Sequence, residues 1–209
     1  MLVNQRQITG IILAGGRSRR FGAPKAMAFW RGCRLIDYSI RALQPVLHEL
    51  IIVSHLPQLH QLKNVRVITD EQAHEGQGPL SGIRSAMECV NTPWVFVLPC
   101  DMPLFTAKDA RKLIQRVGEE PLPEAIVPLI YGRAQPLCAL YHHPEVKEKI
   151  DRQLAAGKKS MMDLLKQCNV KYVTETALSI DPAAFLNVNT RDDYHHLLQL
   201  NKDQSLTDQ

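Results

Sequence analysis

Short runs of apolar, mostly branched residues recur along the chain, and apolar positions return at helical spacing in the stretches between them. Ile8–Leu13, Leu50–Ser54, Val65–Thr69, Trp94–Leu98, Ala125–Leu129, Leu137–Tyr141 and Val170–Thr174 read as strands. Leu35–Leu43, Leu80–Val90, Ala107–Gly118 and Glu145–Leu154 read as amphipathic helices. Strands that are apolar along their whole length call for burial on both faces. The alternation predicts an α/β fold with a mostly parallel central sheet and helices on both faces.

Local signals refine this picture. Thr106 with Asp109, Ser160 with Asp163 and Thr190 with Asp193 resemble capping boxes, with Asp in place of the preferred Glu, and predict helices from Ala107, Met161 and Arg191. Ile130–Gln135, centred on Gly132, predicts a hairpin turn and one antiparallel excursion. Trp30 and Phe105 read as scattered apolar surface residues. Residues 1–200 are expected to form one domain, followed by a frayed polar tail over 201–209.

Composition narrows the function classes. The net charge of +4 suits a small anionic partner such as a nucleotide. Without a basic stripe and interleaved aromatics it does not suit DNA or RNA, so no nucleic-acid partner is expected. Cys33, Cys89, Cys100, Cys138 and Cys168 are widely spaced and form no CxxC pair, which argues against a zinc site or a disulfide framework. The polar stretch from Met1 to Thr9 lacks a signal-peptide core, and no apolar run approaches the ~18 residues of a membrane span. A cytoplasmic location without a membrane partner is expected.

The strongest chemical signal is Leu13-Ala14-Gly15-Gly16-Arg17-Ser18-Arg19-Arg20-Phe21-Gly22-Ala23-Pro24-Lys25, which begins where the first strand ends. Ligands of open α/β sheets bind at such strand ends. Glycines let backbone amides approach phosphates, and the arginines and Lys25 add positive charge. Lys25 follows Ala23-Pro24, so this is not a Walker A loop, and a GxGxxG pattern is absent. A solvated surface loop is the plain alternative, disfavoured by its place after an apolar strand.

In Trp94-Val95-Phe96-Val97-Leu98-Pro99-Cys100-Asp101-Met102-Pro103 a second apolar strand runs into Asp101 between two prolines. A carboxylate there is placed to hold Mg²⁺, which takes one or two protein carboxylates and completes its shell with phosphate and water. A plain turn aspartate is the alternative. Gly76-Gln77-Gly78-Pro79-Leu80-Ser81-Gly82 leads into a helix and would permit close approach of an anion, although Gly-Pro often marks only a turn. His142, His143, His195 and His196 lie in polar or helical contexts and read as surface or supporting residues.

Together, in this order, the three segments resemble the molybdenum cofactor guanylyltransferase family. Gln135–Tyr141 followed by His142-His143-Pro144, the turn Gly157-Lys158-Lys159-Ser160-Met161 and Phe185-Leu186-Asn187-Val188-Asn189-Thr190 extend the likeness over Ile8 to Leu198. The resemblance implies a Rossmann-like nucleotidyltransferase fold. It also implies transfer of GMP from GTP to molybdenum-molybdopterin, with Mg²⁺ as cofactor and pyrophosphate as by-product.

Carried over by position, Leu13, Ala14 and Gly15 hold the nucleotide through their backbone, and Lys25 contacts its phosphates. Asp70 contacts the nucleoside, and Asp101 binds Mg²⁺. Lys25 and Asp101 are the candidate catalytic pair, with Arg19 or Arg20 nearby. Asn187 and Asn189 face the metal or pterin side, and Lys159 the pterin phosphate. Where part of the family has an Asn after the second strand, this chain has Ser54-His55-Leu56, which leaves base recognition open. Transient contact with other cofactor-biosynthesis proteins is the implied partnership.

Three rivals share some of these signals. A CTP-dependent cytidylyltransferase would use the same loop and Asp101, although the Gly-Pro-Leu-Ser-Gly and Asn-Val-Asn-Thr segments tilt towards GTP. A sugar-1-phosphate nucleotidyltransferase would need a larger sugar-binding region. A non-catalytic nucleotide binder would have less need of both Lys25 and Asp101.

Overall fold

In a computed structural model, residues 7–15, 21–69 and 78–204 are described, with side chains as far as Leu200. Strands β1 (Ile8–Leu13), β4 (Glu49–Val53), β5 (Arg66–Ile68), β6 (Trp94–Pro99), β7 (Ala125–Ile130), β8 (Arg133–Ala134), β9 (Ala139–His142) and β10 (Val170–Thr174) form one sheet. Its order is β10-β7-β9-β6-β1-β4-β5, with β8 paired to β7. All neighbours are parallel except at β9, which runs against both β6 and β7, and at β8. The sheet is therefore mostly parallel, as the apolar runs require.

Helices cover both faces. On one, α1 (Leu35–Leu43) and α3 (Ala107–Ile114) pack over Ile8, Ile12, Ile52, Phe96 and Leu98. On the other, α2 (Pro79–Met87), α4 (His143–Ala155) and α5 (Met161–Leu165) pack over Ile11, Ile51, Val53, Val95 and Val97. Successive side chains of a strand point to opposite faces, so each strand supplies both layers. No helix of the described residues is long and apolar enough to cross a membrane.

Several local expectations meet a specific cause. In the capping box of α3 the Thr106 hydroxyl accepts the Asp109 amide, while Asp109 accepts the Thr106 amide. Between β7 and β8, Tyr131 and Gly132 both have positive φ, 47° and 73°. That pairing marks a two-residue turn matched to the twist of its strands. Arg31 and Gly32 repeat it between β2 (Phe29–Trp30) and β3 (Cys33–Arg34), a hairpin too short for the apolar pattern to reveal.

Other expectations need correction. α3 ends at Ile114 rather than at Gly118, and α4 begins at His143, with Pro144 in its first turn where a missing N–H costs nothing. Trp30 and Phe105 are buried, not surface residues. The Trp30 indole N–H donates to the Leu197 carbonyl, and Phe105 lies between Phe96 and Phe185. The remaining helices are α6 (Glu175–Leu178) and α7 (Arg191–Gln204). α7 continues beyond position 201, where the polar tail is expected to begin, and 205–209 lie outside the described residues.

Gly10 leaves room on the sheet for Leu50 of β4, Leu47 of the α1–β4 connection and Leu43 at the end of α1. A Cβ there would lie 2.6 Å from Leu50 Cδ1 and 3.0 Å from Leu47 Cδ1, both in the packed core. Gly10→Ala is therefore expected to destabilise the fold by about 1–3 kcal/mol through overpacking. Urea denaturation should show a lower midpoint with an unchanged slope; an unshifted midpoint would mean the leucines move aside freely.

Candidate active site

The chain passes from β1 through α1 to β4 on one side, and later from β5 through α2 to β6 on the other side of β1. The strand order reverses there, which opens a crevice beyond the carboxyl ends of β1 and β6. Register sets those ends level: Leu13 lies opposite both Val53 and Pro99. Residues just past them, Ala14, Ser54 and Asp101, therefore meet at one place.

Backbone bonds hold the crevice together. The Ala14 amide donates to the Val53 carbonyl at 2.9 Å, and the Cys100 amide to the Leu13 carbonyl at 3.0 Å. Ser54, fully buried, donates its hydroxyl to the Ala14 carbonyl and accepts the Leu56 amide. Ser39 on α1 donates to the Pro99 carbonyl. Ser39 does not stand out in the sequence, and Ser54 is marked there only as a departure from an Asn found in part of the family. Each is a small polar residue at a buried position, which becomes informative only once the helix or strand face is known.

Lys25 and Asp101, far apart in sequence, form an ion pair with Nζ–Oδ2 at 2.5 Å. The Lys25 ammonium also donates to Asn189 Oδ1 at 3.0 Å. Lys25 stands at the start of a short 3₁₀ turn, Lys25–Met27, after Pro24. Asn189 is brought in by its neighbour, since the Val188 amide donates to the Asp101 carbonyl at 2.9 Å. The Val188 side chain is buried with Phe21, Trp30, Leu35 and Leu197. This small cluster joins the loop after β1, the β2–β3 hairpin and α7 into one support for the crevice. Tyr38 strengthens it by donating to the Trp30 carbonyl at 2.6 Å, as does the Tyr194 hydroxyl by donating to the Phe29 carbonyl.

Asp101 is only 8% exposed, and its Oδ1 is buried without a hydrogen-bond partner. An orphaned carboxylate oxygen beside a lysine is costly unless something else engages it, and a hard cation is the group that fits. Among the described residues no cluster of three or more His, Cys, Asp or Glu side chains surrounds it. Among the described residues the site offers the Asp101 carboxylate and the Asn189 amide oxygen. That suits Mg²⁺, which keeps water and phosphate ligands, and does not suit zinc, which prefers a set of His and Cys ligands. The adjacent Cys100 is no nucleophile, because burial, with help from the Asp101 charge, pushes its thiol up to about 12.

The other sequence candidates separate. Asn187 donates its side-chain amide to the Phe185 carbonyl at 3.3 Å. Lys159 is exposed in the turn between α4 and α5. Ion pairs of Lys147 with Glu88 and of Arg84 with Asp151 set α4 antiparallel to α2, so this turn lies at the end where α2 begins. Leu13 ends β1, and Ala14 and Gly15 follow it directly at the carboxyl end of the strand. Arg17, Arg19, Arg20 and Asp70 lie outside the described residues, as do Gly76 and Gln77. Of the histidines singled out, His143 bonds the Met87 carbonyl and His142 pairs with Glu145.

Comparisons with known proteins agree with this geometry. The family model described as a MobA-like NTP transferase domain matches residues 10–175. A probable molybdenum cofactor guanylyltransferase from Bacillus cytotoxicus is 40% identical over 200 residues, covering 94% of this chain and 99% of that relative. Among solved structures, molybdopterin-guanine dinucleotide biosynthesis protein A from Archaeoglobus fulgidus matches with a TM-score of 0.79 at 24% identity, covering 93% of this chain and 99% of that one. A 4-diphosphocytidyl-2C-methyl-D-erythritol synthase from Anaerococcus prevotii matches with a TM-score of 0.74 at 12% identity, over 95% and 97% of the two chains. The two structures bear on the fold alone, which is the Rossmann-like fold of nucleotidyltransferases. From sequence and family model together, the chain is a nucleotidyltransferase that belongs to the MobA-like NTP transferase family, among the molybdenum cofactor guanylyltransferases.

Proposed function

We propose that the chain transfers GMP from GTP to molybdenum-molybdopterin, giving the guanine dinucleotide cofactor and pyrophosphate. The observation that carries this reading is the convergence of Lys25, Asp101 and Asn189 at the switch point, with one Asp101 oxygen left unpartnered. A phosphate oxygen of the acceptor forms the new bond to the α-phosphorus of GTP as the bond to the β-phosphate breaks. That oxygen is already ionised near neutral pH, so no strong general base is required. The demand is to bring two anions together, and positioning with fixed positive charge meets it.

The amides around Leu13, Ala14 and Gly15 receive the nucleotide, and Asp70 contacts the nucleoside. Lys25 neutralises charge on the phosphates, while Asp101 and Asn189 present oxygens to Mg²⁺. When bound, that ion offsets phosphate charge beside Asp101. Asn187 and Lys159 belong to the pterin side of the crevice. The reaction takes place in the cytoplasm, with transient contact to other proteins of cofactor biosynthesis.

The test is pyrophosphate release with Mg²⁺ and molybdenum-loaded molybdopterin, comparing GTP with CTP, ATP and UTP. A strong preference for GTP is expected. Preference for CTP would keep the chemistry and replace the donor. No release with any nucleotide, from folded protein and intact acceptor, would overturn the proposed reaction.

A further inference from the structure

Asp193 lies in the first turn of α7 and has no part in the chemistry above. Its Oδ2 accepts the Thr190 amide at 2.8 Å, while the Asp193 amide donates to Thr190 Oγ1 at 3.1 Å. Those two bonds complete a capping box and account for a helix start. The same Oδ2 also accepts the Asn189 amide at 2.8 Å. Asn189 precedes the capping residue, so this third bond adds nothing that the helix needs. Its effect falls on Asn189 itself.

One residue back, the Val188 amide is tied to the Asp101 carbonyl and its side chain is buried. Asn189 is thus pinned from both sides, leaving its side chain to accept Lys25 Nζ at 3.0 Å. Asp193 lies close enough to Lys25 to feel its charge. Burial alone would raise the Asp193 carboxyl, yet the two amides, Thr190 and the Lys25 ammonium together hold it below the ordinary value.

Resting on the reading of Lys25 and Asp101 as the reacting site, we infer that Asp193 is a positioning residue. It fixes Asn189 so that the Asn189 amide oxygen keeps the Lys25 ammonium directed at Asp101 and the nucleotide phosphates. α7 then does more than close the hydrophobic cluster around Trp30, because its first turn sets the direction of a catalytic side chain.

A double-mutant cycle separates this role from plain helix capping. Asp193→Ala and Asn189→Ala are each expected to lower kcat/KM about tenfold, and the double variant to fall no more than about twofold below the worse single, because both act through one contact. Asp193→Asn, whose side-chain oxygen can accept the same amides, should recover most of the loss. The melting midpoint should fall equally on Asp193→Ala in either background, since capping does not depend on Asn189. Losses that multiply to about a hundredfold, or wild-type turnover in Asp193→Ala, would overturn the inference. If the alanine variant does not fold, Asp193→Ser, which keeps one acceptor but is too short to span both amides, takes its place in the cycle.

A second readout needs no turnover. Acetylation of Lys25 in the nucleotide-free protein, mapped by mass spectrometry, should quicken several-fold, and alike, in Asp193→Ala and Asn189→Ala. An unchanged rate in both would refute the positioning role. Absence of wild-type turnover would instead count against the proposed reaction, while the labelling result still judges Asp193.

Discussion

Asp101→Ala should lower turnover by about a thousandfold while the protein stays folded. On the proposed reaction the substitution removes the carboxylate that would present oxygen to a divalent cation, and mutagenesis of comparable electrostatic groups costs about 10²–10³ in rate. It also removes the Oδ2 that pairs with the Lys25 ammonium. The fold should tolerate the change because it removes an Oδ1 that is buried without a hydrogen-bond partner and keeps the backbone bond from the Val188 amide to the carbonyl at position 101. Lys25 keeps its bond to Asn189, so no cation is stranded. Asp101→Asn tests charge against shape, since it retains the volume and one acceptor oxygen. It should be nearly as impaired as the alanine variant, and raising the Mg²⁺ concentration should not restore it. The measurement is steady-state pyrophosphate release beside a melting curve. Turnover within a few-fold of wild type in a folded Asp101→Asn protein would remove Asp101 from the chemistry.

Lys25→Ala should cost about 3 kcal/mol of transition-state stabilisation, or roughly a hundredfold in kcat/KM. On the proposed reaction the ammonium would supply fixed positive charge where pyrophosphate departs, and it bonds both Asp101 and Asn189. This variant differs from the last in its effect on stability. Removing the lysine leaves the Asp101 carboxylate, 12% exposed, without its cation. Leaving a buried charged acceptor unpartnered costs about 1–3 kcal/mol, so the variant should melt lower and must be assayed below its shifted midpoint. Lys25→Arg should recover part of the rate but not all of it. A planar guanidinium cannot place one point charge between a carboxylate, an amide oxygen and a phosphate as an ammonium does. If Lys25→Ala turned over at the wild-type rate, its ion pair with Asp101 would be structural only.

Much of the architecture was legible because its signals are local. An apolar run buried on both faces, as in Trp94–Pro99, reads as a strand wherever it falls in the chain. Thr106 with Asp109 makes a capping box within a single turn. Tyr131-Gly132 is a turn because its two residues must take positive φ. Misreadings arose where the deciding partner is distant in sequence. Trp30 looks like a stray surface aromatic until Leu197 supplies the acceptor for its indole. Phe105 looks exposed until Phe185 returns to cover it. The β2–β3 hairpin is too short to carry a period at all.

The site divides in the same way. Lys25 and Asp101 each lie in segments distinctive enough to be singled out from the chain alone, because a glycine-rich loop or an acid at a strand end is unusual on local grounds. Asn189 is singled out only by the family resemblance. Sequence alone also determined the α/β alternation, the parallel character of the sheet and the family resemblance. The tertiary structure alone decided that these three side chains meet and that Ser54 ties the Ala14 carbonyl to the chain after β4. Those outcomes depend on strand register, on the reversal of strand order beside β1 and on the packing of α7 against the β2–β3 hairpin. All of these are set by contacts between residues far apart in sequence, which no local pattern encodes.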